Sequence, residues 1–249
     1  MNKTRKISII MIIAVLAMFY CKDNATNYVP IIGVYGNIYP DHPDSSGITG
    51  KFTITNCPGV PSLAINDVSY DAYFNDNVFT FHPNDINGFP GEQLSINLAY
   101  AAENKEHSEV SIDIVYPEEF EVESIYNSID TIRSGQDYIV DWSNSVGADY
   151  YSVKINFHYA YYDTTNTYRA KIINIDTLVT ESEIVLPNTT LFPDTDNIVT
   201  IIDSDGTLNL YAISGPMLPG DVGNVRGDGF GIVNARSRNF NYDLIVVSE

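Results

Sequence analysis

Tyr150 to Asp163 reads YYSVKINFHYAYYD. Tyr151, Val153, Ile155, Phe157 and Tyr159 alternate with Ser152, Lys154, Asn156 and His158. A period of two is the signature of a strand with one face in a core. Phe157, Tyr159 and Tyr161 fall on one face, and His158 and Tyr162 fall on the other. The polar run Asp163-Thr-Thr-Asn-Thr167 then predicts a turn into a further strand, Tyr168 to Leu178.

The same period recurs along the chain. Strands are expected at Ile31–Ile38, Phe52–Thr55, Val68–Phe74, Val78–Phe81, Leu94–Tyr100 and Val110–Tyr116. The polar stretch Glu103 to His107 predicts a hairpin end between the last two. Pro117-Glu-Glu119 breaks the pattern and predicts a boundary. A second series follows at Tyr138–Trp142, Tyr151–Tyr159, Tyr168–Leu178, Ile184–Leu186, Ile198–Ile202, Leu208–Ile213 and Phe240–Val246. No sustained helical period appears after residue 27. The expectation is an all-β protein with two antiparallel β-sandwich domains in series, at 28–117 and 118–249.

The chain has 249 residues, 44% of them hydrophobic, which is enough to build packed cores. Its 13 Lys+Arg against 32 Asp+Glu give a net charge of -19. Such a surface repels phosphate backbones, so nucleic acid is excluded as a partner.

The sole Trp, Trp142, closes one strand, and the next begins Gly147-Ala-Asp-Tyr-Tyr-Ser-Val-Lys-Ile155. With Ile184-Val-Leu-Pro187, these residues make 120–202 similar to a fibronectin type III or related immunoglobulin-like domain. That resemblance implies a sandwich whose Trp lies in the core. After residue 203 the chain departs from the family, with a Gly-rich section from Ser214 to Gly231 before the last strand. Residues 28–117 look immunoglobulin-like by strand pattern alone.

At the N-terminus, Lys3, Arg5 and Lys6 precede an apolar run from Ile7 to Tyr20. The run has the length of a signal-peptide core and falls short of a bilayer span. The stretch ending at Cys21 resembles a bacterial lipoprotein signal, which implies a lipid on the Cys21 sulfur. Met18 and Tyr20 stand where that signal prefers Leu and a small residue. The expected order is a signal peptide at 1–20, then a polar tether at 21–27. The alternative is an ordinary cut near Val15-Leu16-Ala17, giving a secreted protein whose Cys21 is free to meet Cys57.

Three candidate sites stand out. His158, Tyr162 and Asp163 combine aromatic rings with a carboxylate, the chemistry of a sugar-binding face. Asp203-Ser-Asp-Gly206 resembles the opening of a calcium loop, with Asp203 and Asp205 as ligands and Asp194 and Asp196 nearby; a hairpin turn is the competing reading. Arg226-Gly-Asp228 matches an integrin-recognition tripeptide, although its flanking glycines also suit tight turns. No close His or Cys metal spacing, nucleophile elbow or phosphate loop occurs in the sequence.

These features predict a non-catalytic envelope protein, anchored to a membrane by an N-terminal lipid and facing outward. It would act in binding, adhesion or spacing, through a protein or glycan partner. A carbohydrate-binding protein serving polysaccharide uptake is the alternative, and a secreted enzyme is the third reading.

Overall fold

The computed structural model describes residues 31–40, 48–57, 59–82, 90–102, 105–123, 129–193 and 198–248. Cys21, the expected signal and tether, and Asp194 and Asp196 lie outside them. Nearly all of the regular structure in the described residues is strand, as the alternation predicts. Among the described residues, no helix is long and apolar enough to cross a membrane.

The first series forms β1 (Ile32–Pro40), β2 (Ile48–Thr55), β3 (Ser62–Ile65), β4 (Val68–Tyr70), β5 (Tyr73–Asn75), β6 (Val78–Phe81), β7 (Gln93–Ala102) and β8 (Lys105–Val115). The second forms β9 (Val122–Glu123), β10 (Thr131–Arg133), β11 (Tyr138–Trp142), β12 (Tyr150–Asp163), β13 (Tyr168–Val179) and β14 (Glu183–Leu186). A single helical turn, α1 (Asn188–Leu191), precedes β15 (Ile198–Ser214), β16 (Val225–Gly227), β17 (Gly229–Arg236) and β18 (Phe240–Val247).

Two hydrophobic cores result. In the first, Val34, Ile38, Phe52, Ile54, Phe79 and Phe81 face Leu94, Ile96, Leu98, Val110 and Ile112 from the sheet β16-β8-β7-β3-β4. Cys57 packs partly buried against this core, its Sγ 3.0 Å from the Gly59 carbonyl oxygen. In the second, Val153, Ile155, Phe157 and Tyr159 of β12 and Leu208 and Leu210 of β15 face Val140 and Trp142 of β11. Here the sheet β14-β11-β9 closes over β13-β12-β15-β18. The alternation read from Tyr151 to Tyr161 is the core-facing row, each residue 5% exposed or less.

Pro117-Glu-Glu119 lies between the cores, with Tyr116 in the first and Phe120 in the second. Its middle residue is clamped to the loop between β11 and β12: Glu118 N donates to the Val146 carbonyl at 2.9 Å, and Ser145 Oγ donates to the Glu118 carbonyl at 2.5 Å.

The structure differs from the expected 118–249 unit at its C-terminal section. β18 completes the second core, but Val225, Val233 and Ala235 are buried in the first. β16 pairs with β8, and β17 then runs parallel to β1 in the opposite sheet. The chain changes sheets within two residues, which needs the left-handed Gly227 (φ 81°). Gly229 follows because a Cβ there would sit 2.8 Å from Val110 Cγ2 and 3.0 Å from the Ile32 carbonyl oxygen. The Gly-rich section is thus the crossing between two sheets.

β17 also pairs with the last two residues of β15, as Ile213↔Arg236 and Ser214↔Ala235. One sheet therefore runs through both sandwiches. β17 and β18 follow each other along the same edge of β15, while β12 occupies the other edge.

A second difference concerns β15. Two strands separated by Asp203-Ser-Asp-Gly206 are expected, yet Ile198–Ser214 is one strand paired with β12 throughout, apart from bulges near Ala160 and Tyr162. Gly206 reads as a turn residue but serves close packing. A Cβ there would overlap Phe157 Cβ and lie 2.7 Å from the Asn156 carbonyl oxygen.

Candidate functional site

The β12–β13 hairpin belongs to the larger sheet of the second sandwich. Its turn is built around Asp163. Oδ1 accepts from Thr165 N at 2.9 Å, Thr165 Oγ1 at 2.6 Å and Thr167 N at 2.8 Å. Oδ2 accepts from Arg169 Nε at 3.1 Å. Asn166 takes the left-handed conformation (φ 56°) that reverses the chain. The Thr165 hydroxyl, then the Thr167 amide, stabilise the ionised carboxylate and lower its pKa to about 2. Both oxygens are committed to the turn, so Asp163 shapes the site instead of offering a free carboxylate to a ligand.

Directly behind the turn, Tyr162 pairs across the hairpin with Tyr168. Their rings stand edge to face, centroids 6.2 Å apart, and are 39% and 58% exposed. Sequence reasoning marked Tyr162 but missed Tyr168, because register across the turn decides the partner.

His158 lies on the same outer face, half-buried, with Ile172 of β13 and Asp205 of β15 as its lateral neighbours. Asp203 is the neighbour of Ala160. Below them come Asn156, Asn174 and Thr207, then Lys154, Asp176 and Asn209. Lys154 Nζ meets Asp176 Oδ2 at 2.9 Å. The outer face is thus an aromatic tip above a polar sheet.

Asp203 and Asp205 belong to a regular strand and are exposed. A calcium loop needs a curved backbone that turns several oxygens inward, which a strand does not provide. Among the described residues, no group of three or more His, Cys, Asp or Glu side chains is placed to hold a metal. The expectation of a calcium loop and the competing hairpin turn both give way to the continuous β15.

Arg226-Gly-Asp228 sits at the sheet crossing. Arg226 NH1 donates to the Gly223 carbonyl at 2.6 Å, Asp228 N donates to the Glu109 carbonyl at 3.0 Å, and Ile32 N donates to the Asp228 carbonyl at 3.2 Å. The tripeptide is part of the framework that joins β16 to β17.

One concavity went unread in the sequence. A cleft of about 310 Å³ lies where the sandwiches meet, lined by residues including Asp113, Asp149, Ser214 and Asn224. These come from four distant segments, so no local motif marks it. Asp149 Oδ2 is held by Gly215 N at 2.8 Å. The neighbouring Asp221 accepts from Leu218 N at 2.7 Å, Met217 N at 2.8 Å and the Tyr150 hydroxyl at 3.2 Å. The two amides lower its pKa, and these bonds fix the loop beside the junction.

No protein-family model matches the chain, and no curated protein matches it.

Proposed function

We propose that this chain is a non-catalytic, exported and lipid-anchored protein of the bacterial cell envelope, which presents a binding tip at the end of a rigid two-sandwich stalk. One observation carries the reading. β1 begins beside Gly229, at one end of the shared sheet, and the Tyr162–Tyr168 pair lies at the other. Between them are 7 residue steps along β17 (229 to 236) and 15 along β15 (213 to 198). At about 3.3 Å per residue, these 22 steps make roughly 70 Å. β1 is the first described strand and starts at the near end, so a lipid anchor preceding it leaves the aromatic tip facing away from the membrane.

The immunoglobulin-like reading fits the strand orders. The layers β9-β11-β14 and β13-β12-β15-β18 follow the two-layer arrangement expected of a fibronectin type III-like unit, with Trp142 buried on the smaller sheet.

Photo-crosslinking on intact cells tests the presentation. A benzophenone amino acid at Thr164, on the tip, is expected to yield an adduct, and one at the exposed Val60 of the first sandwich is not. Adducts from Val60 alone would refute it. Labelled palmitate incorporation, lost in Cys21→Ala, tests the anchor.

A second reading is glycan binding, favoured by the exposed edge-to-face rings of Tyr162 and Tyr168. Sugars stack their apolar faces on such rings. Binding on a glycan panel that is lost in Tyr162→Ala and in Tyr168→Ala supports it, and a flat panel removes it.

A further inference from the structure

The cleft of about 310 Å³ at the junction is built from both sandwiches. The second contributes Asp149, which is tied down on either side of Ser214. Its N donates to the Ile213 carbonyl at 2.8 Å, and its Oδ2 accepts from Gly215 N at 2.8 Å. Among the described residues nothing donates to its Oδ1. The first sandwich contributes Asp113, exposed on the face of β8 that also carries Val115. The loop leading into β12 packs on that face, since a Cβ at Gly147 would overlap Val115 Cγ1. Both carboxylates line the cleft, one from each sandwich.

Ser214 is a separate observation. It is 2% exposed and lines the cleft, and its hydroxyl makes no hydrogen bond among the described residues. Leu210 and Ala212 share its face of β15 and are buried in the second core. The side chain at 214 therefore continues the inward row to the point where the cleft begins. Its partner on β17, Ala235, is buried there without a polar group. A buried hydroxyl with nothing to bond is costly, so its presence calls for a partner that the chain itself does not supply. Between these polar groups the wall is apolar, formed by Ile114 and Ala148.

We infer that the junction cleft binds a small alkylammonium ion, held by Asp113, Asp149 and Ser214. An ammonium group carries three N–H donors. The cleft offers it the Asp113 carboxylate, Asp149 Oδ1 and the Ser214 hydroxyl, and offers its aliphatic stem Ile114 and Ala148. A calcium ion suits the cleft less well, because it takes about six to eight oxygens. Among the described residues no three His, Cys, Asp or Glu side chains converge to supply them. The volume lies at the lower end of the range for small-molecule sites, which fits a free amine of a few carbons. A net charge of -19 draws such cations toward the surface. The bound ion joins a carboxylate of one sandwich to a carboxylate of the other.

The test is isothermal titration calorimetry of the full chain in detergent, with Cys21→Ala and Cys57→Ser, at about 150 mM salt to screen diffuse attraction. The probe is n-butylammonium. One saturable site is expected, with Kd between about 10 μM and 1 mM, inside the limit for a ligand of about five heavy atoms. Asp113→Asn and Asp149→Asn should each weaken binding about tenfold, the loss expected for one charge-assisted hydrogen bond. In Asp149→Asn the amide oxygen can still accept from Gly215 N, so the junction stays built. Ser214→Ala should weaken binding about threefold without lowering Tm, because its hydroxyl has no partner in the chain to lose. Trp142 fluorescence checks that each variant is folded. Asp205→Asn removes the same charge from an exposed position on β15 and should leave binding unchanged. Tetramethylammonium, which has the charge but no N–H donor, should bind about tenfold more weakly. The inference is overturned by no saturation at about 10 mM, or by binding indifferent to both Asp113→Asn and Asp149→Asn. It is equally overturned if Asp205→Asn weakens binding as much as they do, or if tetramethylammonium or Ca²⁺ binds as tightly as n-butylammonium.

Discussion

Substituting Gly206 by Ala separates the strand from the turn that its sequence resembles. In a turn with open space a methyl group costs little. In β15 the added Cβ would overlap Phe157 Cβ and stand 2.7 Å from the Asn156 carbonyl oxygen and 2.8 Å from Phe157 Cα. Comfortable carbon–carbon contact needs about 3.5–4.0 Å, so the backbones of β12 and β15 must move apart. Phe157 is fully buried and cannot swing away. Forcing atoms into a packed interior costs about 1–3 kcal/mol, and losing glycine's freedom in the unfolded chain returns about 0.4–1 kcal/mol. A net loss of about 1–2 kcal/mol lowers Tm by roughly 2–8 °C in a chain of this size. Trp142 is the only Trp and lies in the second core, 5.3 Å from the Tyr151 ring, so its fluorescence in urea reports this core directly. Gly59→Ala is the control, since a Cβ there meets nothing within 4 Å. If Gly206→Ala unfolds at the same urea concentration as Gly59→Ala, the close-packed strand is refuted.

Two further outcomes follow from the same geometry. The folded pKa of Asp163 is held below its unfolded value, so the turn's contribution is complete above about pH 4 and is lost as pH falls toward about 2. The Tm gap between wild type and Asp163→Ala should therefore be constant from pH 7 to 5 and shrink between pH 4 and 2; a gap independent of pH contradicts the assignment. A fragment of residues 28–117 should fail to give a dispersed amide NMR spectrum, since it lacks Val225, Val233 and Ala235 and leaves β1 and β8 without their neighbours. Adding a 222–238 peptide should restore dispersion, and a fragment that folds alone would show that the crossing is dispensable.

The long alternating strands were legible because burial on one face imposes alternation, as from Tyr151 to Tyr161, whereas β3, β9, β10, β16 and β17 were not expected. Three features were not, each for a physical reason. Asp203-Ser-Asp-Gly206 has turn composition, yet a glycine that admits a neighbouring backbone looks identical in sequence to one that reverses the chain. β17 was not expected as a strand, because its burial does not alternate (Val233, Asn234 and Ala235 are all buried), and nothing local says that its partner is β1, about 200 positions earlier. Asp163 beside aromatics suggested a ligand, but its oxygens are consumed by Thr165, Thr167 and Arg169, all within six residues. Asx-type turns of this kind can be anticipated, since Asp followed by Thr-Thr-Asn-Thr offers donors at the right offsets. Tyr168 could have been found the same way, by counting back from that turn.

The central claim is that one sheet holds the near end of β1 and the Tyr162–Tyr168 tip at fixed separation. Pulsed electron–electron resonance between nitroxides at Ile31 and Thr164, both exposed, measures it directly in the Cys21→Ala, Cys57→Ser background. The account predicts a single narrow distribution near ~70 Å, from 22 strand steps. A broad distribution, or a maximum below about 50 Å, would mean that the sandwiches hinge or fold back, and would contradict it.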